Sequence, residues 1–596
     1  MIKFDIDQIL MKKHLLLFVS LCFVFKMNAQ EELPKDFAPG EKEKMEDYLN
    51  SIRNTQQKSL FVTPPPYTKL RNAAEWEEIQ TLNITWTGSY TNIHRAIIKA
   101  AQLETIVTII CSDSNNVKSN LTTNSIPLTN LKFLQIPYNS IWARDYSGNS
   151  VYGAYVDSLI LVDWIYNRPR PLDDVTPTAI AGAFGLPIYE TKTAPWDLVH
   201  TGGNYMSDGF GTAFSSTLTV AENTTKTVAQ IDTIMKRFMG INRYIKLPTL
   251  PYDGIHHIDM HMKLLDEETL LWGEYPAGIA DGPQIEANLQ YIQSTYNSVY
   301  GTPYKVIRIP MPKDKNNKWP NQSGGWYCTY TNGVFVNKTY IFPTYYQQYD
   351  TTAIRILKAS LPGYKLVPID VDEAGSTLIS QSGAIHCITH AVHTNDPLLI
   401  SHQPIKNSCD FDPSYSVKAK IMHRTGINTA KVYWTIDTLL GFNQVPMTLT
   451  NALTDEYTGT IPQQALGKTI YYYIEAAATS GKTMQRPITA PLGRNTFKIV
   501  LCPTSGIKEN SGFEFKAAYP NPASAITCIP LSSNKTQAIK VSLFSLMGQL
   551  VDVIYDGEIN QGDKNVFLFA DKYAKGVYFL EAKTSTTTKT QKLIIK

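Results

Sequence analysis

The stretch NIHRAIIKAAQLETIVTIIC, residues 92–111, decides the fold class. NIHRAIIKAA (92–101) reads as an amphipathic helix, and the short apolar run TIVTIIC (105–111) after it reads as a buried strand. The same order recurs twice. Residues 283–300 carry Ile285, Leu289, Ile292, Tyr296 and Val299 at helical spacing ahead of YKVIRIP (304–310). Residues 352–361 carry Ile354, Leu357 and Leu361 ahead of YKLVPID (364–370). The last two strands both open on Tyr-Lys, which points to repeated supersecondary units arranged around an axis. Residues 60–412 are therefore expected to form one α/β domain.

Outward from this region the pattern changes on both sides. After Asp412-Pro413 helical periodicity stops, and SVKAKIM (416–422), AKVYWTI (430–436), TIYYYIEAAA (469–478) and NTFKIVL (495–501) read as strands. Residues 413–503 are expected to form an immunoglobulin-like sandwich. A linker over 504–512 leads to a second small β module over 513–596, with AYPNPAS (518–524), strand-like IKVSLFSLMGQLV (539–551), GVYFLEA (576–582) and KLIIK (592–596). Upstream, residues 31–59 are charged and poor in core residues, and two readings stay open: a pro-segment, or a helix docked at the domain edge. In residues 1–30, Lys12-Lys13 precede an apolar run to Phe25 that ends at Asn28-Ala29-Gln30, a secretory signal peptide starting at Met11.

The 596 residues leave room for several domains, and 55 Lys+Arg against 52 Asp+Glu give a formal charge of +3 with no basic block. That balance argues against a nucleic-acid partner. With 43% hydrophobic and 18% charged residues the chain is an ordinary folded protein, not a disordered or collagen-like one. No stretch after the signal approaches the length of a membrane span. Beyond Cys22 the cysteines at 111, 328, 387, 409, 502 and 528 are too scattered for a zinc module or a disulfide scaffold, though one bridge fits.

Four stretches put polar residues in apolar or aromatic surroundings: WARDY (142–146), HHIDMH (256–261), YTN (330–332) and GAIHCITH (383–390). As a strand, HHIDMH would set His257, Asp259 and His261 on one face, suited either to zinc or to an acid/base beside a carboxylate. Cys387, behind the tight turn that Gly383 permits and flanked by His386 and His390, is a candidate nucleophile. No G-x-S-x-G elbow supports serine chemistry.

Together WARDYSGN (142–149), TGGNY (201–205), HIDM (257–260), GGWYCTYTN (324–332) and GAIHCITH (383–390) resemble the guanidino-modifying superfamily, which includes agmatine deiminases and bacterial peptidylarginine deiminases. The resemblance covers most of 60–410 and implies a five-bladed α/β propeller, the pentein fold, with the site at its axis. It implies Cys387 as nucleophile, His257 as general acid/base, Asp145 and Asp259 as the carboxylates gripping the guanidinium, and Asn332 as a supporting residue, with Trp142 at the substrate. A guanidinium is already an electrophilic cation that two carboxylates can clamp with its carbon exposed, so no metal or organic cofactor is expected.

The run YNRPRP (166–171) resembles the bacterial peptidylarginine deiminases, where the matching arginines contact the substrate carboxylate; Arg168 and Arg170 are then expected to bind a peptide ending in arginine. His200 before the TGGN and Ser382 before Gly383 depart from the agmatine-type pattern. The YPNPA…MGQ…GVYFL…KLIIK series resembles the C-terminal sorting domain of the type IX secretion route. The expected protein is a secreted or outer-membrane-surface peptidylarginine deiminase, exported through the periplasm, with arginine-containing peptides and the secretion machinery as partners. The rivals are an agmatine deiminase-like enzyme, a zinc hydrolase built on His257, Asp259 and His261, and a non-enzymatic adhesin.

Overall fold

A computed structural model describes residues 32–54, 63–502, 512–524 and 526–596. The signal-peptide reading and most of the 504–512 linker lie outside the described residues. Contacts divide the chain into two compact units, one up to Val500 and one from Leu501.

The predicted helix over 92–101 is Thr91–Ala101, and it buries Ile93, Ile97, Ile98 and Ala101. Each such isoleucine contributes about 1.5–3 kcal/mol by leaving water. The strand after it, Ile106–Cys111, runs parallel to Ile79–Thr85, the strand before the helix. Among the described residues the same unit occurs five times: an antiparallel pair of strands, a helix, and a third strand parallel to the second. Asn149–Gly153 and Ser158–Tyr166 are followed by helix Thr176–Phe184 and strand Ile188–Thr191. Met206–Ser207 and Thr212–Ser216 are followed by helix Val228–Ile234 and strand Arg243–Leu247. Met262–Leu264 and Thr269–Glu274 precede helix Gly282–Thr295 and strand Lys305–Pro310. Val334–Val336 and Thr339–Thr344 precede helix Gln347–Ser360 and strand Lys365–Asp370.

The fifth unit joins the two ends of the region. His390–His393 pairs antiparallel with Ile79–Thr85, so the last strand completes the sheet that holds the first helix. The predicted helix over 283–300 stops at Thr295: Tyr296 leaves helical dihedrals, and Val299 lies outside it, 39% exposed. The apolar spacing runs past the helix because Tyr296 still packs on the core from the following loop.

Seven strands between Ser414 and Val500 enclose one core around Val417, Ile421, Val432, Ile461, Tyr472, Ile474 and Phe497. Asn443–Asn451 pairs with Glu456–Pro462 on one side and Ile427–Thr435 on the other. This β region is continuous with the α/β region: Leu399–Ser401 pairs antiparallel with Ser414–Met422, and Arg486 reaches Glu267. Cys409 and Cys502 are both disulfide-bonded.

The second unit packs two antiparallel sheets on a shared core that includes Ile529, Leu531, Leu568, Val541, Leu543, Leu580 and Leu593. The strand expected over 539–551 is two strands, Gln537–Ser545 and Leu550–Ile559. A turn at Gly548, with φ of 78°, reverses the chain between them, a backbone that glycine adopts without a Cβ clash.

Candidate active site

Each of the five units contributes a short irregular segment just ahead of its first strand, and these segments converge. Asp145 lies in the turn Ala143–Tyr146 before Asn149–Gly153. Gly203 lies in Gly202–Asn204 before Met206–Ser207. Asp259 lies in Ile258–Met260 before Met262–Leu264, with His257 at its start. Asn332 precedes Val334–Val336, and Cys387 precedes His390–His393. Irregular backbone here is what allows side chains from four sheets, and the Gly203 backbone from the fifth, to come to one place, since a strand would send alternate residues to opposite faces.

Cys387 is fully buried, and three groups surround its sulfur. Asn332 Nδ2 stands 3.2 Å from Sγ, the Asp259 carboxylate 3.6 Å, and the Nζ of Lys35, from the N-terminal segment, 2.7 Å. Burial, with Asp259 and Asp145, pushes the thiol up to about 12, and Lys35 pulls against it. The turn ahead of Cys387 differs from the expected one: the residue at positive φ is Ser382, at 63°. Gly383 is needed for closeness instead, because a Cβ there would lie 2.4 Å from the Trp142 ring.

Asp145, His257 and Asp259 come together at Gly203. Asp145 Oδ1 lies 3.6 Å from His257 Nδ1 and accepts a 3.0 Å hydrogen bond from the Gly203 amide. Among the described residues neither ring nitrogen of His257 has a hydrogen-bond partner. Burial and the Lys35 charge hold its pKa well below the histidine range, against Asp259, so the ring is neutral. Burial favours protonation of Asp259, but Lys35 and His386 outweigh it and keep the carboxylate ionised. For Asp145, burial prevails over Lys35 and its pKa is raised.

The expected strand over HHIDMH is not formed. Residues 258–260 wind into a single 3-10 turn, which swings His261 away to meet Trp272 edge-on at 5.6 Å. His257 and Asp259 thus reach the site and His261 does not, which removes the zinc triad. Among the described residues no three His, Cys, Asp or Glu side chains are grouped to share a metal.

His386 and His390 do not touch the sulfur. His386 bridges two carboxylates, Nδ1 at 2.8 Å from Asp259 and Nε2 at 2.8 Å from Glu75. Glu75 also meets Lys263 and, at 3.6 Å, Arg144. Against burial, His386, Lys263 and Arg144 hold Glu75 well below the carboxylate range. Burial and Arg144 lower the His386 pKa, while Glu75 and Asp259 favour the doubly protonated ring that fills both contacts. This chain fixes the Asp259 carboxylate from behind. Glu75 and Lys263 escaped the sequence reading because isolated charged residues carry no local pattern.

The glycine of the TGGN run has a steric reason. A Cβ at Gly203 would lie 2.5 Å from His257 Nδ1, 2.8 Å from Asp145 Oδ1 and 3.2 Å from Asp259 Oδ2. Gly203→Ala is expected to leave the circular dichroism spectrum unchanged and to displace His257 and Asp145 by about 1 Å, enough to slow by about a hundredfold any reaction that these side chains carry, measured as turnover by the folded variant.

Arg168 and Arg170 are buried rather than displayed on a solvated loop, at 4% and 1% exposure. Arg168 Nε donates to the Lys35 carbonyl at 3.2 Å, and Arg170 donates from Nε and Nη2 to the Glu41 carboxylate at 3.0 and 2.9 Å. Trp142, fully buried, donates from Nε1 to the Leu33 carbonyl at 2.9 Å, with Lys35 Nζ 6.0 Å from its ring. The arrangement holds a side-chain cation against a thiol, beside two carboxylates and a neutral imidazole.

Residues 71–392 match the Porphyromonas-type peptidyl-arginine deiminase family, and residues 517–596 match the secretion system C-terminal sorting domain. The chain belongs to that deiminase family, whose members are hydrolases acting on C–N bonds. A Vibrio parahaemolyticus protein provisionally named an agmatine deiminase is 24% identical over 298 residues, 44% of this chain and 78% of that protein. A crystal structure provisionally named an arginine deiminase, from Porphyromonas gingivalis, is 20% identical, with a TM-score of 0.48 over 55% of this chain and 99% of that one. An X-ray structure provisionally named an agmatine deiminase is 17% identical, with a TM-score of 0.50 over 57% of this chain and 100% of that one; it shares the mixed α/β fold. The sorting domain implies secretion or cell-surface attachment through the type IX machinery.

Proposed function

We propose that the protein is a secreted peptidylarginine deiminase that converts arginine, preferentially at a peptide C-terminus, to citrulline and ammonia. The observation that supports this most is the Lys35 cation seated 2.7 Å from the Cys387 sulfur, with Asp145 and Asp259 as its charge partners. We read the five repeated sheets as the blades of a propeller, the 413–503 region as an immunoglobulin-like companion, and 513–596 as the address read after passage through the periplasm.

In this reading a substrate guanidinium takes the place of the Lys35 ammonium, clamped by Asp145 and Asp259. Cys387 passes its proton to His257, and Sγ attacks the guanidinium carbon, forming a C–S bond. The tetrahedral adduct collapses as one C–N bond breaks, and the proton on His257 leaves with the nitrogen as ammonia. His257 then takes a proton from water as its oxygen attacks the thiouronium carbon; the C–S bond breaks, the proton on His257 returns to the sulfur, and the remaining hydroxyl proton leaves through solvent to the released ammonia, giving citrulline, ammonium and the restored thiol. Asn332 holds the sulfur in line through its 3.2 Å contact.

The preference for a terminal arginine rests on Arg168. Its Nε donates to the main-chain carbonyl of Lys35, the residue whose side chain fills the cation pocket. In a peptide ending in arginine, that carbonyl is the α-carboxylate, and the contact becomes charge-assisted. Measured in a chain that also carries Lys35→Ala, Arg168→Ala is expected to raise KM for a peptide ending in arginine about tenfold or more, from loss of about 1.5–3 kcal/mol, and to leave kcat nearly unchanged. Equal KM changes for terminal and internal arginine would remove the preference from the account. The names of the curated relatives favour agmatine as the second reading, and turnover of agmatine alone would select it.

A further inference from the structure

Residues 32–41 cross the candidate site and are held along most of their length. The Glu32 carboxylate accepts from the Ile141 amide at 3.0 Å, and the Leu33 carbonyl from Trp142. Arg170 Nη2 donates to the carbonyls of Pro34 at 2.8 Å and Asp36 at 3.0 Å. The Asp36 carboxylate lies 3.5 Å from Arg168, and the Phe37 ring lies against that guanidinium at 4.2 Å. Downstream, the helix Met45–Asn54 anchors the segment: Tyr48 packs on Ile165 and Val199, and Arg53 pairs with Asp197 at 2.9 Å.

Lys35 sits at the centre of this path, 1% exposed. Burial opposes its charge, but Asp145, Asp259 and Cys387 outweigh burial, so the ammonium persists. A buried ammonium is tolerated only where such partners compensate it. In lysine Nζ stands as many bonds from Cα as Cζ does in arginine. Lys35 therefore sets a nitrogen where a substrate arginine would set the carbon that sulfur attacks. An amine has no such carbon and no nitrogen to lose, so it fills the pocket without reacting.

We propose that residues 32–41 are a tethered competitive inhibitor of the deiminase site, with Lys35 as an unreactive stand-in for substrate arginine. The proposal rests on the functional reading above. The segment follows the path of a substrate peptide, so a substrate turns over only when the segment is displaced or cut away. A tether holds its ligand at an effective concentration of about a millimolar or more, which a free substrate peptide must overcome.

The test uses the full chain and its Lys35→Ala variant, with two readouts: the rate of Cys387 alkylation by iodoacetamide, followed by peptide mass spectrometry, and ammonia release from a peptide ending in arginine. Both rates are expected to rise about tenfold or more in the variant. A rise in alkylation without ammonia from either protein would support the plug and overturn the deiminase reading. Equal alkylation, with equal turnover or none, would overturn the plug; equal turnover above background would at the same time keep the deiminase. A third protein, Lys35→Arg, places a guanidinium in the pocket in cis. Its residue 35 is expected to be recovered as citrulline, one imino group exchanged for oxygen from water with ammonia released. An unmodified guanidinium at position 35, in a Lys35→Arg protein that turns over added peptide, would overturn the placement of this segment.

Discussion

Cys387→Ala is expected to abolish ammonia release from every guanidino substrate, a loss of roughly ten-thousandfold or more, as found when the nucleophile of a covalent mechanism is removed. Sγ is the atom about which Asn332, Asp259 and Lys35 are arranged, at 3.2, 3.6 and 2.7 Å. Burial and the two nearby carboxylates push the thiol up to about 12, and the Lys35 ammonium beside it pulls the other way. The small truncation leaves the backbone turn in place, so the thermal midpoint should move by only a few degrees. Ammonia release by the folded alanine variant within tenfold of the parent would remove the covalent mechanism.

Asp259→Asn is the second large effect, an expected loss of about a hundredfold to a thousandfold in kcat/KM. The Asp259 carboxylate faces the thiol, is one of the two charge partners of the bound cation, and accepts from His386. Asparagine keeps the shape but removes the charge, and its amide directs a donor at either the cation or the imidazole. Removing one charged partner from a buried group costs several times more than a surface pair contributes. Glu75→Gln, one contact further back along the His386 chain, should lower kcat by less and leave KM nearly unchanged, since Glu75 orients Asp259 without facing the cation. Equal losses for the two variants, measured as ammonia release over a range of peptide concentrations, would show that the chain does not have this order.

The repeated helix–strand unit was legible because its apolar residues recur at 3.6 and its strands are short and β-branched. Three copies were visible from residues 92, 283 and 352, where an amphipathic helix sits beside an apolar run. The helix Thr176–Phe184 was not: TPTAIAGAF is nearly all small or apolar, so no polar face marks its period. The helix Val228–Ile234 is short and runs on into a wider turn over Met235–Met239, which breaks the spacing. The site was legible residue by residue through the five motifs, and the structure brings Asp145, His257, Asp259, Asn332 and Cys387 together. The fate of His261 was not legible, because alternation assumes a strand and one 3-10 turn at 258–260 undoes it. Lys35 was least legible of all. Its segment is charged and core-poor, which fits a solvated arm; the carboxylates that let it be buried lie far along the chain at Asp145 and Asp259.

The most direct test of the central claim is the stoichiometry of ureido product and ammonia formed by the Lys35→Ala full chain from four substrates: a peptide ending in arginine, the same sequence with arginine internal, free arginine, and agmatine, whose ureido product is carbamoylputrescine rather than citrulline. Equal amounts of ureido product and ammonia are expected from each substrate turned over, with the peptide ending in arginine turned over fastest. No ammonia from any of the four, in folded protein whose Cys387 is reduced and alkylates readily, would contradict it.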